Sequence, residues 1–126
     1  MKGKVLVVED NEQNLYLVRF LLTRAGWDVV SAPDGPRGIE EARRGGLALV
    51  LLDIQLPGMD GHAVARELRK LETLAGTPIV AVTSYAMVGD RERCLAAGCA
   101  GYLEKPINPE TFLDEIEAFV RTESAS

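Results

Sequence analysis

Four apolar runs in the chain each stop on residues that can handle charge. Lys4 to Val8 stops on Glu9, Asp10 and Asn11. Leu49 to Leu52 stops on Asp53, Ile79 to Val82 on Thr83 and Ser84, and the short Tyr102, Leu103 run on Glu104, Lys105 and Pro106. Carboxylates gathered in one place repel one another unless a cation or protons intervene. A magnesium ion, which prefers one or two carboxylates, several waters and a phosphate oxygen, would be served by Asp10, Asp53 and the backbone carbonyl of Gln55, with Glu9 holding a coordinated water. Lys105, the Thr83 hydroxyl and the backbone N–H of Ser84 suit phosphoryl oxygens. A carboxylate attacks phosphorus to give an acyl phosphate, and phosphoryl transfer needs mainly metal, in-line placement and charge stabilisation. Asp53 is the expected acceptor.

Each of these residues taken singly has a simpler reading. Asp53 could be a turn or capping aspartate, Thr83 and Ser84 could cap a helix, Lys105 could be a solvated lysine beside Glu104, and Tyr102 could be half-buried packing. The chemistry therefore depends on whether the elements bring the run ends together. An unbroken apolar run such as Leu49 to Leu52 marks a strand covered on both faces, as in a parallel sheet between helix layers.

Helices are expected in the intervals. Asn11 caps the first, whose Leu15, Val18, Leu22 and Ala25 recur at helical spacing, and Gly26 stops it. A second strand begins at Trp27. Asp34 then caps a helix with Pro36 in its first turn and Gly45, Gly46 at its end. Asp60 caps a third helix with Val64, Leu68 and Leu71 inward and Arg66, Glu67, Arg69 and Lys70 in solvent. A fourth helix is expected from about Met87 to Ala97, stopped by Gly98. For the fifth, Asn108 is the N-cap and Pro109 the first helical residue, with Phe112, Ile116, Phe119 and Val120 inward. Five β-α repeats with short connections specify a parallel α/β sheet with right-handed crossovers. The expected architecture is a doubly wound five-stranded parallel sheet of the flavodoxin-like kind, strand order 2-1-3-4-5, which sets strands 1 and 3 side by side and brings Glu9, Asp10 and Asp53 together.

A chain of 126 residues, 47% apolar and 26% charged, is sized for one globular domain. The expected extent is residues 3–121, with 122–126 a short tail and no output domain. No apolar stretch reaches membrane-spanning length and no signal peptide is evident, so a cytoplasmic location without membrane contact is expected. A net charge of −5 with dispersed Lys and Arg argues against nucleic-acid binding. Cys94 and Cys99 read as free, partly buried thiols, and His62, the sole histidine, as a surface residue outside any metal site. Met87 with Val88 reads either as core or as an exposed apolar contact for a partner, with the contact favoured, and the acids of the last helix, Glu110, Asp114, Glu115 and Glu117, read as solvation.

Taken together, E-D-N after strand 1, D-I-Q-L-P-G-M-D-G after strand 3, T-S after strand 4 and K-P after strand 5 resemble a response-regulator receiver domain over residues 3 to 121. The resemblance implies that Asp53 accepts a phosphoryl group from a sensor histidine kinase or histidine phosphotransfer protein, with Glu9 and Asp10 as the acidic metal-binding pair. It further implies that Thr83 and Lys105 contact the phosphoryl group, that Tyr102 is the switch aromatic, and that the Lys105–Pro106 bond is cis. The stretch T-S-Y-A-M-V-G-D-R-E-R-C-L-A-A-G-C is similar to single-domain cell-division and cell-fate regulators and to hybrid-kinase receivers. Output is then expected through a protein partner on the helix 4, strand 5, helix 5 face, from a monomer or a phosphorylation-dependent dimer. Gln55 and Tyr85, two residues beyond Asp53 and Thr83, are expected to set the acyl-phosphate lifetime.

Three rival readings make different demands. A haloacid dehalogenase-type phosphatase needs a second aspartate two residues after the first, where this chain has Gln55. A flavodoxin-like electron carrier needs a Thr/Ser/Gly phosphate loop after strand 1, where this chain has E-D-N. A phosphorylation-independent scaffold has no use for the full set of acids, hydroxyl and lysine.

Overall fold

The computed structural model describes residues 3–56, 58, 60–84 and 89–125, with side-chain surroundings through residue 120. The expected helix start at Met87, the Met87/Val88 contact, Tyr85 and the Pro57 turn residue lie outside these residues. Strands β1 (Gly3–Val8), β2 (Trp27–Ala32), β3 (Leu47–Asp53), β4 (Ile79–Thr83) and β5 (Gly101–Glu104) alternate with helices α1 (Glu12–Arg24), α2 (Gly35–Arg43), α3 (Gly61–Arg69), α4 (Asp90–Ala96) and α5 (Phe112–Ala125). The strands are all parallel and run in the order β2-β1-β3-β4-β5. This is the expected flavodoxin-like sheet.

Both faces of the sheet are buried, and side-chain alternation sorts its residues. Val5, Val7, Leu49, Leu51, Val80 and Leu103 pack on one face with Val18 and Leu22 of α1 and Phe112 and Ile116 of α5. Leu6, Val8, Val50, Leu52, Ile79 and Ala81 pack on the other with Ala42 of α2, Val64, Ala65 and Leu68 of α3 and Cys94 of α4. Leu47 breaks the alternation by joining the second cluster. The β1–β3 register slips between Lys4, opposite Leu47, and Val5, opposite Leu49, and such an irregularity flips the faces of the residues before it.

Capping follows the sequence for three helices. Asn11 accepts from Asn14 N–H, Asp34 from Arg37 N–H and Asp60 from His62 N–H. The last helix differs from expectation: Asn108 takes the Glu110 N–H and its carbonyl the Phe112 N–H, so residues 109–111 form a turn and α5 begins at Phe112. A 3-10 turn, Glu72–Leu74, fills part of the connection before β4 and buries Leu74. Helix α4 ends in a Schellman motif in which Gly98 (φ +103°) turns the chain, with Cys99 N–H on Cys94 O at 3.1 Å and Gly98 N–H on Leu95 O at 3.0 Å.

Two surface assignments need correction, and the two cysteines, free as expected, are more deeply buried than expected. His62 is buried, 6% exposed, because Gly61 lets α3 start against the Ile54 backbone, where any Cβ would overlap. The ring of the second helical residue meets α4, with Nε2 3.6 Å from Cys94 Sγ, while Nδ1 lies 3.3 Å from Oδ1 of Asp60, the cap of its own helix. Arg69 is not wholly in solvent, since its guanidinium bonds the Leu74 and Gly98 carbonyls and its stem lies against Gly98. Cys94 and Cys99 are fully buried free thiols, pushed above the usual thiol range by burial, Cys99 to about 12.

Candidate active site at the carboxyl ends of the strands

β1 and β3 are neighbours, so the acids after each strand face one crevice. Glu9, Asp10 and Asp53 offer carboxylate oxygens that all lie within 4.8 Å of one another. Glu9 and Asp53 are buried and Asp10 is exposed. The Ile54 N–H bonds the Val82 carbonyl at 3.0 Å, which ties the end of β3 to β4. The Lys105 N–H bonds the Thr83 carbonyl at 2.8 Å, which brings the residue after β5 to the end of β4. The Lys105–Pro106 peptide is cis, as the resemblance implied.

Lys105 Nζ is the hub of the crevice, 2.8 Å from Glu9 Oε1 and 3.0 Å from Asp53 Oδ2. The other Asp53 oxygen accepts the Gln55 N–H at 2.8 Å, and Glu9 Oε2 accepts the Asn11 N–H at 3.2 Å. Below them lies an apolar floor that includes Val7, Val18, Leu51 and Phe112. An apolar surround strengthens the attraction to Lys105 and raises the penalty on any surplus charge. Glu9 shows that penalty: burial first, then its hydrogen bond with and repulsion by Asp53, push its carboxyl up to about 7, against the pull of Lys105 and the Asn11 N–H. Burial disfavours the Lys105 cation, but Glu9 and Asp53 outweigh it and raise its pKa.

One lysine faces three carboxylates, so the cluster carries a surplus of negative charge and hard oxygen donors. Those are the conditions a magnesium ion needs, and the residues present fit one. Thr83 is buried at the end of β4, 2% exposed. Ser84 is exposed, and its N–H is donated to Gln55 Oε1 at 3.2 Å. Tyr102 stands apart from the acids, its ring against the α2/α3/α4-side core and its hydroxyl 3.4 Å from Glu104 Oε1. It borders a groove with Arg91 and Leu95 of α4 and Glu115 and Phe119 of α5.

The crevice thus unites Glu9, Asp10, Asp53 and Lys105, with Thr83 buried at the adjoining end of β4 and bonded through its carbonyl to Lys105, and leaves Tyr102 packed against the α2/α3/α4-side core. Two features were missed from sequence. The Gln55 to Ser84 bond joins residues 29 apart and the His62 to Cys94 contact residues 32 apart. Neither carries a local signal, because a glutamine after a strand and a single histidine are common on surfaces.

Known proteins similar to this chain were found by both sequence and structure. The polar-differentiation response regulator DivK of Brucella ovis is 38% identical over 120 residues, covering 95% of this chain and 98% of the relative. The receiver domain of a sensor histidine kinase from Pseudomonas aeruginosa PAO1, solved with a magnesium ion coordinated in its active-site cleft, is 33% identical with a TM-score of 0.86, covering 96% of this chain and 99% of that one. A CheY-like response regulator receiver domain protein from Methanospirillum hungatei JF-1 has a TM-score of 0.91 at 27% identity, over 99% of this chain and 98% of that one. The family profile of the response regulator receiver domain matches residues 5–117. With the fold, the acidic crevice and these likenesses in agreement, the chain belongs to the response-regulator receiver domain family, whose members are phosphoacceptor signalling proteins of two-component systems.

Proposed function

We propose that Asp53 is the phosphoacceptor and that a sensor histidine kinase or histidine phosphotransfer protein is its donor. The observation that carries this is Lys105 Nζ bridging Asp53 and Glu9 within the carboxylate cluster. A buried acid at a strand end, already paired with the cation that can follow a phosphoryl group, is placed for transfer. A carboxylate oxygen of Asp53 attacks phosphorus, the O–P bond forms as the P–N bond to the donor imidazole breaks, and the leaving nitrogen keeps the bonding pair and takes up a proton from solvent. Asp10, Asp53 and the Gln55 carbonyl would hold magnesium, with Glu9 on a coordinated water. When bound, the ion supplies charge neutralisation to the transferring oxygens.

Thr83, Lys105 and the Ser84 N–H then hold the phosphoryl oxygens. The dianion draws Thr83 inward, Tyr102 moves into the space vacated, and the α4-β5-α5 face with its groove at Leu95, Tyr102 and Phe119 changes shape for a downstream protein. Such a charge acts through its different interaction with two conformations. Gln55 and Tyr85 govern water access to the acyl phosphate. A cytoplasmic location suits this role; among the described residues no helix is long and apolar enough to cross a membrane.

Asp53→Asn, incubated with acetyl phosphate and magnesium, should take up no phosphoryl group while its circular dichroism stays that of the wild type. Undiminished labelling of that variant would move the acceptor elsewhere.

A further inference from the structure

Gln55 touches both halves of the crevice. Its backbone N–H is on Asp53 Oδ1 at 2.8 Å, and its side-chain Oε1 accepts the Ser84 N–H at 3.2 Å. β3 and β4 pair at Asp53 and Val82, so the loops that follow leave the sheet side by side and the Gln55 side chain closes the gap between them. We propose that Gln55 is a positioning residue that latches the unphosphorylated site, occupying through Oε1 the one N–H that a phosphoryl group on Asp53 would require. The inference rests on the phosphoacceptor reading above and concerns what opposes it.

Burial does not explain the bond. Ser84 is exposed and Gln55 half-exposed, so water could satisfy the Ser84 N–H without help. The bond instead sets up a competition, since one donor faces two acceptors. A phosphoryl oxygen is charged and wins, because charge-assisted hydrogen bonds are roughly twice as strong as neutral ones. Its apparent affinity is lowered by the strength of the bond displaced. For a neutral, solvent-accessible hydrogen bond that is about a three- to tenfold effect. The same exchange releases the Gln55 side chain on phosphorylation, so the residue would be tethered before transfer and free afterwards.

The test uses trifluoroberyllate as the phosphoryl mimic, titrated with magnesium into the full chain and followed by calorimetry, with Ser84 amide exchange read by NMR. Gln55→Met keeps length and bulk but removes the acceptor; it should bind the mimic about three- to tenfold more tightly and exchange the Ser84 amide faster before binding. Gln55→Glu offers a stronger, charged acceptor and should bind it more weakly. Unchanged or weaker binding by Gln55→Met, with the wild type and not Asp53→Asn binding normally, would overturn the latch alone. Failure of the wild type to bind would overturn the phosphoacceptor reading and the latch with it.

Discussion

Lys105 Nζ rests 3.0 Å from Asp53 Oδ2 across 52 residues of sequence. The group proposed to read the phosphorylated product is therefore already in contact with the proposed acceptor before transfer. Its second contact, at 2.8 Å to Glu9, makes one ammonium serve two buried acids, and both depend on it.

Lys105→Ala should show that dependence in two readouts. Loss of one partner from a buried ion pair leaves uncompensated charge and costs about 3 kcal/mol, measurable as a lower midpoint in urea unfolding. Acyl-phosphate formation should persist while phosphorylation-dependent partner binding is lost. Normal partner binding would contradict the role given to Lys105.

The fold was legible because β1, β3 and β4 are unbroken apolar runs that each end on a charged or hydroxyl residue. Glu9, Asp10, Asp53, Thr83 and Lys105 could be placed once the strand order was deduced, since topology alone brings those strand ends together. What could not be read depends on packing between distant elements. The burial of His62 needs the Gly61 contact with Ile54 and a thiol on α4, and Arg69 is drawn to carbonyls beyond its own helix. Leu47 changes face through a register slip that no local pattern encodes. The start of α5 was misplaced because Asn108 and Pro109 open a turn as readily as a helix.

Gly61→Ala should destabilise the protein and disturb the site together. A Cβ there overlaps the Ile54 backbone, one residue from Asp53, and overpacking of this kind costs roughly 1–3 kcal/mol. Thermal unfolding should report the loss. Magnesium affinity should fall in the same variant, and a magnesium affinity equal to that of the wild type would show that the Ile54 contact does not position the acid.

Asp60 links α3 to acid stability. The His62 N–H, first, and then the His62 ring and charge and Arg66 hold its carboxyl below the usual value, against a smaller opposing effect of burial. A depressed folded-state pKa contributes stability that is present above the unfolded value of 3.8 and lost as pH falls through the folded value. Asp60→Asn should therefore flatten the fall in stability below about pH 4, checked by urea unfolding at stepped pH.

Cys94 and Cys99 should resist iodoacetamide in the native protein. Burial holds both thiols above their usual range, which removes the thiolate that alkylation requires. Modification should appear only in denaturant, read by intact-mass analysis.

The central claim is tested most directly by reductive trapping of the phosphorylated protein. Borohydride treatment after incubation with acetyl phosphate and magnesium converts an aspartyl phosphate to homoserine, and peptide mass spectrometry locates it. Homoserine at position 53 and at no other acidic residue is the predicted result. An unmodified Asp53 in a protein that carries label, or instead homoserine at position 10 or the five-carbon 2-amino-5-hydroxypentanoic acid at position 9, would contradict it.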